Sequence, residues 1–255
     1  MTLYTSHQLR DRHSVRSYTN DPIPVTALAV LQQELESVNT EYSLEGVRFV
    51  MCCDSPAAFN SFRKSYGFFR NVNNYLVAVV DSSCANAREV AGYAGERLVM
   101  AAVAHGLGTC FVGATYDAAK VDVELSATES IAFLITIGVA SESNGFIARL
   151  VEKMAHRKCI APEDFYDTDM AFYNLAEAED RLRYLRAGLR ALAAAPSALN
   201  RQPVRVWLGE DAYLHAGLAM TGEYTDIDLG IAKFNFQNVA PGKWEWGVGG
   251  RFMTH

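Results

Sequence analysis

The sequence predicts a mixed α+β chain built from two related halves. Amphipathic or apolar helical patterns alternate with short apolar strand patterns along the chain, which is the first indication. The second is a faint repeat, because the glycine-containing helical stretch Ala91–Gly95 is echoed by Asp228–Ala232. The third is composition, since 255 residues of which 50% are hydrophobic and 20% charged can bury a substantial core.

The elements follow in order from their own patterns. Leucines and a valine on one helical face predict a first helix over Pro24–Asn39, and an apolar stretch that Gly106 ends predicts the longest helix over Ala85–His105. Further helices are predicted at Ala57–Tyr66, Phe146–Met154, Glu177–Ala194 and Asp228–Asn238. Short apolar runs predict strands or extended segments at Val47–Cys53, Tyr75–Val80, Thr109–Val112, Ile131–Val139, Val204–Leu208 and Ala212–His215.

Several classes of protein are excluded by composition. A net charge of −6 gives no overall field that favours nucleic acid. The longest apolar run, Leu98–Ala104, is far shorter than the roughly 20 residues of a membrane span, and Met1–Asp21 has no apolar segment of a secretory signal. Five cysteines without ligand spacing predict reduced thiols and no metal site. We therefore expect a cytoplasmic protein that binds small molecules, with no nucleic-acid or membrane partner.

The most informative stretch is the loop Ala195–Pro203, which lies between a predicted helix and a predicted strand. Pro196 and Pro203 fix φ near its two ends. Between them the chain places a hydroxyl, two carboxamides and a guanidinium. A row of donors and acceptors on a stiffened backbone predicts a site for a flat ligand with polar edges.

A second candidate is the N-terminal run Arg12-His13-Ser14-Val15-Arg16. In an extended segment Arg12, Ser14 and Arg16 project from one face. Two guanidinium groups beside a hydroxyl suit a phosphate or another anionic edge. On spacing alone, a solvated basic terminus explains the run as well.

Two further segments carry weaker signals. The run Gly106–Ala114 leaves a helix and enters an extended segment, which is the reverse of a dinucleotide-binding glycine loop. A plain helix stop accounts for it equally. Arg157 and Lys158 follow a predicted helix, where a solvated surface pair is the alternative to an anion contact.

Taken together, R-H-S-V-R, G-L-G-T-C, A-P-S-A-L-N-R-Q-P and D-L-G-I-A resemble the FMN-dependent nitroreductase family, in particular its Thermotoga-type subgroup. The resemblance implies a nitroreductase-like α+β fold with FMN as cofactor and NAD(P)H as co-substrate. It implies that Arg12, His13 and Ser14 face the flavin phosphate and ribityl chain, with Arg157 and Lys158 completing that site. It places Arg16 against the pyrimidine edge of the ring. The other implied flavin contacts are Val112, Gly113, Ala114, Pro196, Ser197, Ala198, Asn200 and Gln202.

The position of the proline-bracketed loop is unusual for this family. Ordinary members are homodimers with FMN at the interface, where one subunit gives the arginine and glycine segments and its partner gives the loop. Here the first half lacks the loop motif after its first helix, at Val38–Gly46, and the second half carries it. We therefore expect residues 1–160 and 170–255 to form a pseudo-dimer within one chain, as one compact unit.

The resemblance also implies the chemistry. One FMN per chain would serve the NAD(P)H-driven, ping-pong reduction of a nitroaromatic, quinone or similar acceptor at flavin N5, with Arg16 and Gly113 as the catalytic positions. No side-chain acid or base is required. The alternatives are a flavin-binding protein without general reductase activity and a scaffold without cofactor. A monomer or a weak homo-oligomer is expected.

Overall fold

In a computed structural model, the described part of the chain forms two four-stranded antiparallel sheets, each with its own helices. The structure describes residues 4–60, 68–141, 160–166 and 179–254. The first half contains α1 (Ser6–Asp11), α2 (Val25–Glu41), β1 (Val47–Cys52), β2 (Asn74–Asp81), α3 (Ala87–Ala104), β3 (Gly108–Val112) and β4 (Glu129–Gly138). The second contains α4 (Glu179–Ala193), β5 (Val204–Leu208), β6 (Leu214–Leu218), α5 (Thr225–Val239), β7 (Gly242–Trp244) and β8 (Gly250–Thr254).

The two halves share one topology. Strand order is β1-β2-β4-β3 in the first sheet and β5-β6-β8-β7 in the second. From α2 and from α4 onward, each half runs helix, strand, strand, helix, strand, strand. This match confirms the predicted pair of pseudo-symmetric halves, with α3 corresponding to α5.

The halves meet where α3 crosses α5, and the crossing depends on the two repeated glycines. A Cβ atom on Gly230 would lie 2.7 Å from the backbone nitrogen of Tyr93 and would overlap the carbonyl oxygen of Glu89. A Cβ atom on Gly92 would lie 2.9 Å from the carbonyl carbon of Ile227. Each glycine thus lets its helix touch the backbone of the other, so the repeat seen in the sequence is the contact seam between the halves.

The low amphipathicity of α3 and α5 follows from this central position. Nearly every residue from Ala87 to Ala102 is buried, as is most of α5. A helix that is covered on all sides needs no polar face. Among the charged residues that α3 does carry, Arg97 bonds Glu34 and Glu41 of α2.

Three expectations need correction or completion. In the stretch predicted as a helix over Ala57–Tyr66, Pro56–Ala58 forms a single 3₁₀ turn that ends at Phe59, whose ring packs against Phe69 and Tyr75 at centroid distances of 5.3 and 5.6 Å. The strand expected at Ala212–His215 is Leu214–Leu218, since Ala212 lies in a turn with φ +62°. Strands β7 and β8 were not predicted, because both are short and begin with glycine.

Other predictions fall beyond the described residues. The expected helix Phe146–Met154 lies outside them, as do residues 167–170 of the expected boundary and residues 61–66 of the expected helix Ala57–Tyr66. Among the helices that the structure describes, none has the length and apolar character needed to cross a membrane.

Candidate functional site

The N-terminal motif lies as an extended segment beside β3. Val15 N–H donates to the Thr109 carbonyl at 2.8 Å, and Ser14 forms a parallel bridge with the same residue. On the other side, Arg70 N–H donates to the Arg16 carbonyl at 2.9 Å. These bonds fix the segment to the first sheet as extended backbone. The predicted projection of alternate side chains from one face requires a backbone of this kind.

The two arginines of this segment have few counter-charges. Arg12 Nε lies 4.0 Å from Glu96 Oε1, beyond hydrogen-bond distance, and is buried without a hydrogen-bond partner. Arg16 Nη1 donates only a long bond, 3.4 Å, to the Ser14 carbonyl, and no ion pair of Arg16 occurs within the described residues. His13 is exposed with Nδ1 3.0 Å from the Asp11 carbonyl oxygen. Two guanidinium groups, of which only Arg12 has a carboxylate nearby in the described residues, form a set that fits an anionic ligand such as a flavin phosphate.

The end of β3 shows why a glycine follows Val112. A Cβ atom on Gly113 would lie 2.6 Å from Cζ of Tyr224, a residue of the second half. In the structure the group that closely approaches Gly113 is an aromatic ring from across the seam. The expected approach of a flavin to this backbone stays a prediction. Ala114 is exposed and Val112 is buried.

The loop Ala195–Pro203 is held from within and from α5. Gln202 N–H donates to Ser197 Oγ at 2.9 Å, and the Gln202 amide donates to the Ala193 carbonyl at 3.3 Å. Ala198 N–H donates to Asp228 Oδ1 at 2.9 Å. Gln202 thus supports the loop, as expected, while Pro196 and Ala198 lie half-buried on it.

The same loop carries a concentration of backbone strain. Leu199, Asn200 and Gln202 have φ values of +53°, +51° and +47°, in the left-handed region that side chains other than glycine disfavour. Leu199 is 83% exposed, so burial of its side chain does not offset the strain. Strained backbone of this kind clusters at ligand-binding segments.

The first turn of α5 joins the loop to the end of β3. Tyr224, which immediately precedes α5, packs on Gly113, and Asp228 accepts the bond from Ala198. Burial raises the pKa of Asp228 to about 7. The sequence indicated Asp228 only as part of the repeat and did not indicate Tyr224. The contact of Asp228 with Ala198 and that of Tyr224 with Gly113 depend on how the helices cross, which the sequence does not show. The predicted phosphate contacts Arg157 and Lys158 lie outside the described residues.

The second half has a place equivalent to Gly113, and a tryptophan occupies it. Ala78 precedes Gly92 by the same number of residues as Ala216 precedes Gly230, so the two alanines correspond. Sheet register runs from Ala78 to Phe133 and from Ala216 to Gly250. The register of the outer strands is then extended past their ends, by one residue beyond β3 and by two beyond β7. Extended in this way, it places Gly113 opposite Phe133 in one half and Trp246 opposite Gly250 in the other.

Protein side chains fill this second place. The Trp246 ring lies 5.3 Å from Tyr93 and 6.4 Å from Tyr42, which ends α2, both in edge-to-face geometry. Next to it, Gly247 N–H donates to Glu89 Oε2 at 2.7 Å, and Lys233 Nζ donates to Glu89 Oε1 at 2.5 Å. The two pseudo-equivalent places therefore differ: the single Tyr224 ring covers a glycine in one, and an aromatic cluster with a buried ion pair fills the other.

Comparison with known proteins identifies the family. The family model described as "Putative TM nitroreductase" matches residues 5–240. The chain belongs to this nitroreductase family.

Solved structures similar to this nitroreductase-family chain include proteins of three bacteria. A Thermotoga maritima protein described as a "putative nitroreductase" has a TM-score of 0.55 and 17% identity, covering 97% of this chain and 91% of that one. An FMN-dependent nitroreductase of Clostridium difficile has a TM-score of 0.43 and 20% identity over 54% of this chain and 88% of its own. A nitroreductase-family protein of Clostridium novyi has a TM-score of 0.43 and 17% identity over 56% and 87%. A search of the curated proteins gave no match.

At these identities the Thermotoga protein shows the fold alone. That similarity extends over nearly all of both chains, so the two-sheet arrangement of this nitroreductase-family chain is shared by a solved protein. Family membership supports a general oxidoreductase.

Proposed function

We propose that the chain is an FMN-dependent oxidoreductase that binds one flavin at the seam between its halves. The observation that carries the proposal is the pair of arginines, Arg12 and Arg16, which lie beside β3: Arg12 has a carboxylate 4.0 Å away, and Arg16 forms no ion pair within the described residues. The strained loop at Ser197 reaches the same end of β3 through α5. The proposed flavin site therefore combines a basic segment from one half with a polar loop from the other. This combination is expected if the motifs of the family are divided between the two halves of the chain.

Each residue has a proposed role toward the flavin. Arg12, His13 and Ser14 hold the phosphate and ribityl chain, and Arg157 with Lys158 complete this contact. Backbone N–H groups at Gly113 and Ala114 hold the N5 edge, with Val112 setting their position. From the second half, Ser197 and Asn200 bind the polar edge of the ring, on a loop that Pro196, Ala198 and Gln202 shape.

When bound, the flavin supplies the redox chemistry, accepting a hydride from NAD(P)H at N5 and returning it to a nitroaromatic, quinone or similar acceptor in a ping-pong cycle. Arg16 places a fixed positive charge at the pyrimidine edge, where negative charge collects on reduction. Donor and acceptor are proposed to use one pocket in turn, and no side-chain acid or base is assigned to the reaction. The protein is proposed to work in the cytoplasm as a monomer or weak homo-oligomer, with the halves dividing between residues 160 and 170.

Filling of the second place supports a single flavin per chain. Trp246 takes the volume next to this strand end and packs on Tyr93, whereas at the first-half strand end a flavin edge would take the place of the half-buried Tyr224 ring on Gly113. The Glu89–Lys233 pair fixes the adjoining turn through Gly247. A flavin at this place would have to displace both.

Arg16→Ala tests the proposed role of the arginine. Loss of a charge-assisted contact of about 1.5–3 kcal/mol is expected to make the flavin potential about 30–60 mV more negative, because 30 mV corresponds to about 1.4 kcal/mol for two electrons. The measurement is the reduction potential of the bound flavin by dye equilibration. Arg10→Ala, which removes an exposed arginine of α1, is the control and should leave the potential unchanged.

An unchanged potential and unchanged flavin affinity in Arg16→Ala would count against the role. The activity itself is tested with NADH and NADPH against nitroaromatic and quinone acceptors. Reduction of the flavin without turnover of any acceptor would instead favour a flavin-binding protein without general reductase activity.

A further inference from the structure

A buried polar cluster at the seam is not used by the roles proposed so far. Glu96 of α3 is fully buried and Asn235 of α5 faces it from the other half. Neither Glu96 oxygen, nor either polar atom of the Asn235 amide, nor Arg12 Nε has a hydrogen-bond partner in the protein. Buried polar atoms are satisfied in the great majority of cases, so a group of five unsatisfied atoms calls for an explanation.

The cluster also holds two opposite charges, those of Arg12 and Glu96, that lie close together without forming a hydrogen bond. The Arg12 guanidinium faces Glu96 with Nε 4.0 Å from Oε1, and the two make no hydrogen bond. The neighbouring cation on α3, Arg97, is directed to α2, where it pairs with Glu34 and Glu41. From β3 the nearby titratable group is the buried thiol of Cys110, whose pKa burial raises. Arg12 is therefore the one cation that faces Glu96 within the described part of the chain.

We propose that Glu96 is an internal counter-anion for Arg12, which it releases to a flavin phosphate while taking up one proton from solvent. The inference rests on the proposed function, since it assumes that Arg12 meets the phosphate. A phosphate on Arg12 brings a second anion close to a carboxylate in a buried site, where like charges repel strongly. Protonation removes that repulsion. The Asn235 amide, which favours the ionised form of Glu96 and so lowers its pKa, offers a carbonyl oxygen that can accept from the neutral acid.

The pKa of Glu96 already lies near neutral pH, where the carboxyl can gain or lose a proton. Burial raises its pKa to about 7, while Arg12 opposes the shift. Once a phosphate draws Arg12 away, the pKa rises further, so at pH 8 a mostly ionised carboxyl becomes protonated on binding. Because binding takes up a proton, FMN affinity should fall as pH rises, by up to about tenfold per pH unit above pH 8.

Calorimetric titration of the flavin-free protein at pH 8, in HEPES and in Tris, measures the proton uptake directly. The free phosphate group of FMN is already fully ionised there, since its second pKa is about 6. We expect close to one proton taken up per FMN bound and none with riboflavin, which lacks the phosphate. Glu96→Gln should bind FMN without proton uptake and with an affinity that does not change between pH 8 and pH 9.

Glu129→Gln is the matched control, because Arg48 holds the pKa of that carboxyl at about 2 and it stays ionised throughout. Its proton uptake should equal that of the wild type. FMN binding without proton uptake in the wild type, or with the same uptake in Glu96→Gln, would overturn the inference while leaving the proposed function intact. A wild-type protein that binds neither flavin would overturn both.

Discussion

Gly230→Ala is expected to destabilise the folded chain by at least about 3 kcal/mol, which is a large effect for adding one methyl group. The new Cβ would overlap the Glu89 carbonyl oxygen and lie 2.7 Å from Tyr93 N. Both obstacles are backbone atoms of a central helix, so no side chain can move aside. The α3–α5 crossing would have to open, and with it the packing of the two halves.

The measurement is the urea midpoint of unfolding, compared with that of Gly222→Ala. A Cβ on Gly222 would meet the nearest atom, Thr225 Cγ2, at 3.5 Å, which is ordinary contact. We expect the control to lie within about 0.5 kcal/mol of the wild type. If Gly230→Ala were equally mild, the close crossing of α3 and α5 would be wrong.

Lys233→Met is expected to cost about 3–5 kcal/mol at pH 7, because it leaves Glu89 as a buried carboxylate without its counter-charge. In the wild type, Lys233 Nζ binds Glu89 and the carbonyls of Glu245 and Gly247. Burial already raises the pKa of Glu89. Loss of the lysine raises it further, so the fold prefers the neutral acid.

The sign of the pH dependence follows from that preference. A carboxyl whose folded-state pKa lies above its unfolded value of 4.5 loses stability as pH rises through the folded-state pKa. The deficit of Lys233→Met should therefore be largest above pH 7 and smallest near pH 5. Adding Glu89→Gln should abolish this change with pH. A deficit that is constant from pH 5 to pH 8 would mean that Glu89 is not the group left unpaired.

Much of the fold follows from local patterns in the chain. The leucine spacing of α2 is a strong signal because that helix buries one face. The apolar runs of β2 and β4 are strong signals because both faces of those strands are buried over most of their length. The repeated glycines at Gly92 and Gly230 also indicated two halves before any contact was known. The strands β7 and β8 were not predicted from the sequence, because strands of three and five residues that begin with glycine show too little hydrophobic periodicity.

The candidate site was predictable only in part, for a physical reason. The arginine segment and the proline-bracketed loop are recognisable from their composition, so Arg12, Arg16 and Ser197 could be predicted as site residues from the sequence. Tyr224, Glu96 and Trp246 could not, because their roles depend on which helix crosses which and on sheet register. The correspondence of Trp246 with Gly113 exists only after the two sheets are aligned strand by strand.

The central claim is that each chain holds one flavin, made from residues of both halves. A crystal structure of the chain grown with FMN tests it most directly. We predict one flavin per chain, with its phosphate at Arg12 and Ser14, its N5 edge at Gly113 and its polar edge at Ser197 and Asn200. A second flavin, or a single one seated between Tyr42 and Trp246, would contradict the account.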